Sequence, residues 1–168
     1  MTFFEFKIGD AESYDAWARQ LAAGDWLGNE VFYQAPLYPY FLGVIYATLG
    51  DDPLIVRICQ ALIGAISCVM LALAGRRFFS RSAGIVAGLL LGIYPPAIFF
   101  DGLIQKSVLD VFLLSLILWL ISMLATKPRV SLCGCMGLAV GFLVMARENA
   151  MVFVAVILIW LLVNNRTL

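Results

Sequence analysis

The chain has 168 residues, 63% of them hydrophobic, and a mean hydropathy of +0.97. That composition leaves too little polar surface to cover a water-soluble domain of this size and excludes one. Its eleven acidic and eleven basic residues cancel to zero net charge but are segregated: residues 1–52 carry eight acids and two bases, the rest three acids and nine bases, so the neutral total hides an acidic front and a basic body.

Residues 1–9 have neither a basic start nor an apolar run of secretory type. From about Ala11 to Ala23, Tyr14, Trp17, Ala18 and Leu21 recur at helical spacing and Gly24 supplies a stop, which predicts a short amphipathic helix. A second helix is expected after Pro36, in LYPYFLGVIYATL, ending near Gly50; its tyrosines suit a membrane–water interface. Five apolar stretches follow: Leu54–Gly75, Ala83–Phe100, Leu103–Ala125, Val130–Ala146 and Ala150–Val163. A hydrocarbon core about 30 Å thick takes roughly 20 apolar residues per helix, so the last two are short. The fold expected is an all-α integral membrane protein of about five transmembrane helices. The alternative is four spans and a re-entrant hairpin. Residues 1–52 form an extracytoplasmic loop with two interfacial helices, and 53–168 form the bundle.

Basic residues mark cytoplasmic loops. Arg76, Arg77 and Arg81 follow the first span, Lys127 and Arg129 the third, and Arg166 the fifth, all on one side if every span is real. The acidic front, the Tyr94–Asp101 turn and the Arg147–Asn149 turn then face outward. An outer loop with no span before it leads to the expectation of another span upstream of Met1. The Arg76–Arg81 cluster is a topology determinant and calls for no nucleic-acid partner. Gly84, Gly88 and Gly92 sit at the spacing that lets membrane helices pack closely. Cys59, Cys68, Cys133 and Cys135 lie in apolar stretches of a chain without histidine and read as small buried hydrophobes rather than metal ligands.

In order along the chain, DAESYDAWA, FYQAPLYPYFLG, VRICQALIGA, GRRFFSRSAG and YPPAIFFDGLIQKSVLDVFLL resemble the GT-C glycosyltransferases. The nearest branch is the protein mannosyltransferase and aminoarabinose-transferase type. The likeness runs from about Asp10 to Asn149 and reads the chain as the N-terminal fragment of such an enzyme. It implies transfer of a sugar from a polyprenyl-phosphate-linked donor to an acceptor hydroxyl (on a lipid, glycan or protein) at the extracytoplasmic face. For a bacterial chain this would be the inner membrane. A divalent cation, Mg or Mn, is the cofactor such a site could use.

The resemblance also assigns roles. An acidic residue four before a Tyr in the first outer loop is matched by Asp10 and Tyr14, making Asp10 the general base; a sugar hydroxyl is a poor nucleophile and needs a carboxylate to take its proton. The plain alternative is that Asp10 caps the first helix. Gln34 stands before Ala35-Pro36-Leu37-Tyr38 where the family commonly has a charged residue, so Gln34 and Tyr38 are expected at the substrate and the acceptor class is open. Lys106 either binds the lipid phosphate or neutralises Asp110 four residues on. Arg147, closing a Gly-rich span, either grips phosphate or pairs with Glu148. Asp101 is the expected second carboxylate, for acceptor or metal. Arg57 reads as a structural tie. A rival reading is a non-catalytic membrane subunit or transporter fragment in which Lys106 and Asp110 line a path.

Overall fold

The computed structural model describes residues 10–27 and 34–164. The opening residues 1–9, Glu30 and Arg166, which enter the charge argument, lie outside the described residues. Helix α1 spans Asp10–Ala22 and α2 Leu37–Leu49; α3 is Pro53–Phe78, α4 Arg81–Gly92, α5 Pro95–Asp101, α6 Ser107–Leu124, α7 Val130–Ala146 and α8 Met151–Asn164. No strand occurs among the described residues. The protein is an all-α integral membrane protein.

Both N-terminal helices form where the sequence pattern puts them. In α1 the residues Tyr14, Ala18 and Leu21 are buried, and Gly24 takes φ 107°, a left-handed conformation that ends the helix at little steric cost. Pro36 precedes α2, and Gly50, at φ 96°, closes it. The two helices pack closely: a Cβ on Gly43 would sit 2.8 Å from Leu21 Cβ. The Tyr14 and Tyr38 rings meet edge to face with centroids 5.3 Å apart. In an aqueous loop, burying Leu21 and Leu42 is worth about 1.5–3 kcal/mol each. Polar ties finish the platform. Tyr46 Oη donates to Asp15 Oδ1 at 2.6 Å, and Arg19 lies 5.7 Å from the Tyr46 ring centroid while pairing with Asp15 and Asp51. Burial and the Asp15 carboxylate push the Tyr46 phenol well above its ordinary range, so it stays a donor.

Membrane-grade length is concentrated in α3 and α6. The 26 residues of α3 and the 18 of α6 are long and apolar enough to cross a membrane, and α4 with α5 makes a third span if the bent pair is counted as one. Helices α7 and α8 are apolar but shorter. Among the described residues two to three helices thus meet the length requirement, and α7 and α8 are the two shorter apolar segments of the about five expected from hydropathy. Asp52 starts α3 by accepting the Leu54 N–H at 2.8 Å, with Pro53 in the first turn, where its missing N–H does no harm. Leu54, Ile58, Leu62, Ile66, Val69 and Leu73 make an exposed stripe along α3, a face suited to lipid.

The expected span Ala83–Phe100 is broken. Pro95 and Pro96 supply no N–H, and Tyr94 is held extended at ψ 108°, so α4 stops and α5 leaves at 52°. Between α3 and α4 the glycines do what their spacing implies. A Cβ on Gly84 would land on the Ala72 carbonyl, and one on Gly88 would lie 2.8 Å from the Cys68 carbonyl oxygen. Lipid is as apolar as the side chains, so close backbone approach takes over from the hydrophobic effect here. The α7 glycines differ: Cβ atoms at Gly134, Gly137 and Gly141 would meet nothing within 4 Å.

Candidate functional site

Helices α3 and α6 start at the platform end of the bundle, and α4 and α7 return to it. The start of α6, the end of α7 and the start of α1 meet there, around a pocket of about 240 Å³. Asp10, Tyr14, Gln34, Lys106 and Arg147 all line it, together with Glu148 and Asn149. Residues more than 130 positions apart in the chain are thereby gathered into one polar cleft.

Asp10 is the first described residue of α1. Its Oδ1 accepts a hydrogen bond from Gln34 Nε2 at 3.1 Å, and Gln34 Oε1 in turn accepts from Ser13 Oγ at 3.0 Å. The amide therefore orients the carboxylate across 24 residues of sequence. No other hydrogen bond reaches the Asp10 carboxylate among the described residues, which leaves Oδ2 for a ligand. Tyr14 is 1% exposed, yet it lines the pocket, and its hydroxyl makes no hydrogen bond among the described residues. Burial first, then the fields of Asp10 and Asp110, push its pKa above the ordinary phenol value, with Arg147 opposing. Tyr14 therefore keeps its proton and can donate to a bound hydroxyl or phosphate oxygen.

Arg147 follows α7 in extended backbone conformation, its N–H closing the helix on the Leu143 carbonyl at 2.8 Å. Its Nε donates to Asp110 Oδ2 at 2.5 Å. The pairings expected along the sequence, Lys106 with Asp110 and Arg147 with Glu148, are therefore replaced by one between α6 and α7. Asp110 is spent on Arg147, and the Lys106 side chain lines the pocket with no ion pair among the described residues. Glu148 and Asn149 were not foreseen at the site. Their only signal was adjacency to Arg147 in a short 3₁₀ turn, Glu148–Ala150.

Two of the expected site residues are elsewhere. Tyr38 is fully buried and its hydroxyl donates to Gln60 Oε1 at 2.6 Å; it joins the platform to α3 and does not reach the cleft. Gln60, itself 0% exposed, completes the tie by donating to the Asp101 and Leu103 carbonyls at 2.7 and 2.8 Å. A buried glutamine in an otherwise apolar span was the missed clue to this joint. Asp101 lines a second, larger cavity of about 680 Å³ among α3, α4, α5 and α6. Its Oδ2 lies over Gly64, 2.5 Å from where a Cβ would stand, and Arg57 ties α3 to the same turn by donating to the Gly102 carbonyl at 3.1 Å. Asp101, expected as a second carboxylate on the same face as Asp10, is turned into the bundle by the α5 bend. No three Asp, Glu or Cys side chains converge among the described residues, at Asp101 or elsewhere.

The profile of a family described as dolichyl-phosphate-mannose-protein mannosyltransferase matches residues 33–168. No curated protein and no solved structure matches the chain.

Proposed function

The chain belongs to the dolichyl-phosphate-mannose-protein mannosyltransferase family, whose activity is membrane mannosyl transfer, and on that premise we propose that its polar cleft is the transfer site for a polyprenyl-phosphate-linked sugar. The observation that carries the proposal is the joint presence of Asp10, Lys106 and Arg147 on one 240 Å³ pocket. An inverting transfer needs a base for the acceptor proton and cations for the departing phosphate, within reach of one sugar. This pocket offers both.

In the reaction, the acceptor oxygen attacks the anomeric carbon as its proton passes to the Asp10 carboxylate, and the bond from that carbon to the phosphate oxygen breaks. The electron pair leaves with the polyprenyl phosphate, whose growing charge Lys106 and Arg147 stabilise. Gln34 keeps Asp10 turned into the pocket through its amide. Because Gln34 is neutral, it leaves the charge balance of the cleft to Asp10, Lys106, Arg147 and Glu148. Tyr14 donates to the substrate.

We place this cleft on the extracytoplasmic face. The turns carrying Arg76, Arg77 and Arg81, and Lys127 and Arg129, lie at the opposite helix ends, and basic turns stay in the cytoplasm. Single cysteines at Asp25 and Arg77, in a background without the native four, should react with an impermeant reagent from opposite sides. Reaction of both from one side defeats this orientation.

The chemistry is tested with Asp10→Asn in the full-length protein, measuring sugar transfer from a polyprenyl-phosphate donor. Turnover should fall roughly 100-fold or more, while the melting temperature holds, because Asn keeps the shape and can still hydrogen-bond Gln34. Unchanged turnover removes Asp10 as the base. Substrate accumulation in vesicles without sugar transfer would replace the enzyme reading by a transport one.

A further inference from the structure

Among the described residues Arg147 is held by one side chain, that of Asp110. Asp110 stands in the first turn of α6 and is 7% exposed, with its Oδ2 2.5 Å from Arg147 Nε and its Oδ1 buried without a hydrogen-bond partner among the described residues. A carboxylate this buried is costly in a membrane bundle and is retained where it is paired or does work. Packing does not explain it. Its neighbours Val108, Leu109 and Leu113 are buried apolar residues, and a leucine at 110 would serve that interface as well.

The geometry of the contact is specific. Asp110 takes the guanidinium by Nε, and neither Nη group makes a hydrogen bond among the described residues. The Arg147 side chain is 54% exposed and lines the pocket. An arginine at the end of a span ordinarily extends to the headgroups; here the backbone turns extended after α7, and among the described residues the Asp110 contact alone fixes where the charge sits. We propose that Asp110 is the positioning residue that keeps the Arg147 fork over the pocket, so that its two Nη groups meet a phosphate oxygen pair while Lys106 acts as an untethered point charge. This rests on the reading that Arg147 faces the donor phosphate. It divides the two cations by function: one fixed in direction, one adjustable.

The test compares, in the full-length protein in detergent, binding of a polyprenyl monophosphate with binding of the corresponding polyprenol, and uses their affinity ratio as the readout. A merely structural loss moves both ligands together. Arg147→Met should lower the ratio roughly tenfold or more, the size of one charge-assisted hydrogen bond. Asp110→Asn, with Arg147 intact, should lower it severalfold, and should lower it no further when added to Arg147→Met. If Arg147→Met leaves the ratio unchanged, the phosphate role of Arg147 falls and this inference with it. If Arg147→Met lowers the ratio and Asp110→Asn does not, positioning by Asp110 alone is overturned. Should Asp110→Asn fail to fold, Asp110→Glu keeps the charge and displaces the tether by one methylene. A reduced ratio there upholds the proposal, and a wild-type ratio overturns it.

Discussion

The two cavities at the platform end each contain an outer-loop or turn carboxylate, and they are built in opposite ways. The smaller holds Asp10 among groups that could be contacting a charged sugar phosphate, and an amide from another segment fixes its direction. The larger is nearly three times the volume and is walled mostly by apolar residues such as Ala61, Gly64, Ala65, Gly88 and Gly92, with Arg57 and Asp101 as its charged members. Its carboxylate makes no hydrogen bond or ion pair among the described residues. Size therefore does not single out the proposed site. A carboxylate acts as a base where a proton donor and a stabilised leaving group can reach it together; the small cleft sets two cations, Lys106 and Arg147, beside its carboxylate, whereas Arg57 is the one cation lining the larger cavity among the described residues.

The largest expected effect would break this contrast directly. Asp10→Asn and Asp101→Asn, compared in initial rates of sugar transfer, should differ by about 100-fold, or about 2.7 kcal/mol of barrier. The Asp101 variant should stay within a few-fold of wild type. Equal losses would mean that both carboxylates serve one reaction and that the cavities are not functionally distinct.

Next in size is Gln60→Leu, which tests the joint between the two regions. It strips the Tyr38 hydroxyl and the Asp101 and Leu103 carbonyls of their partner. Each buried group left unpaired costs about 1–3 kcal/mol, so thermal unfolding in detergent should show a drop of at least about 2 kcal/mol. A variant as stable as wild type would show that the platform is held by apolar packing alone.

The smallest effect sharpens the comparison. Gly64→Ala places a methyl where the Asp101 carboxylate lies. The obstacle is the far end of a flexible side chain, so Asp101 can swing into the cavity. Stability should change by less than about 1 kcal/mol, and transfer rate by less than about twofold. A large rate loss would connect Asp101 to the chemistry after all.

Hydropathy and helical periodicity by themselves settled that this is an all-helical membrane protein with an amphipathic platform, because both signals are local. The stripe of Tyr14, Ala18 and Leu21 needs only a helix to be read, and α7 runs from Val130 to Ala146 as expected. Order and spacing of short motifs likewise pointed to Asp10, Tyr14, Gln34, Lys106 and Arg147, and all five meet on one pocket. What the sequence could not settle was pairing. Lys106 and Asp110 are four apart on or beside one helix, which made them natural partners along the chain, yet Arg147 arrives from α7 and takes the carboxylate. Asp101 and Tyr38 looked like site residues by position. A proline break turned the first toward the bundle and a glutamine 22 residues downstream bound the second. Local pattern is set by the backbone and its immediate neighbours; which charge meets which is decided by how helices distant in sequence cross, and only the tertiary structure holds that information.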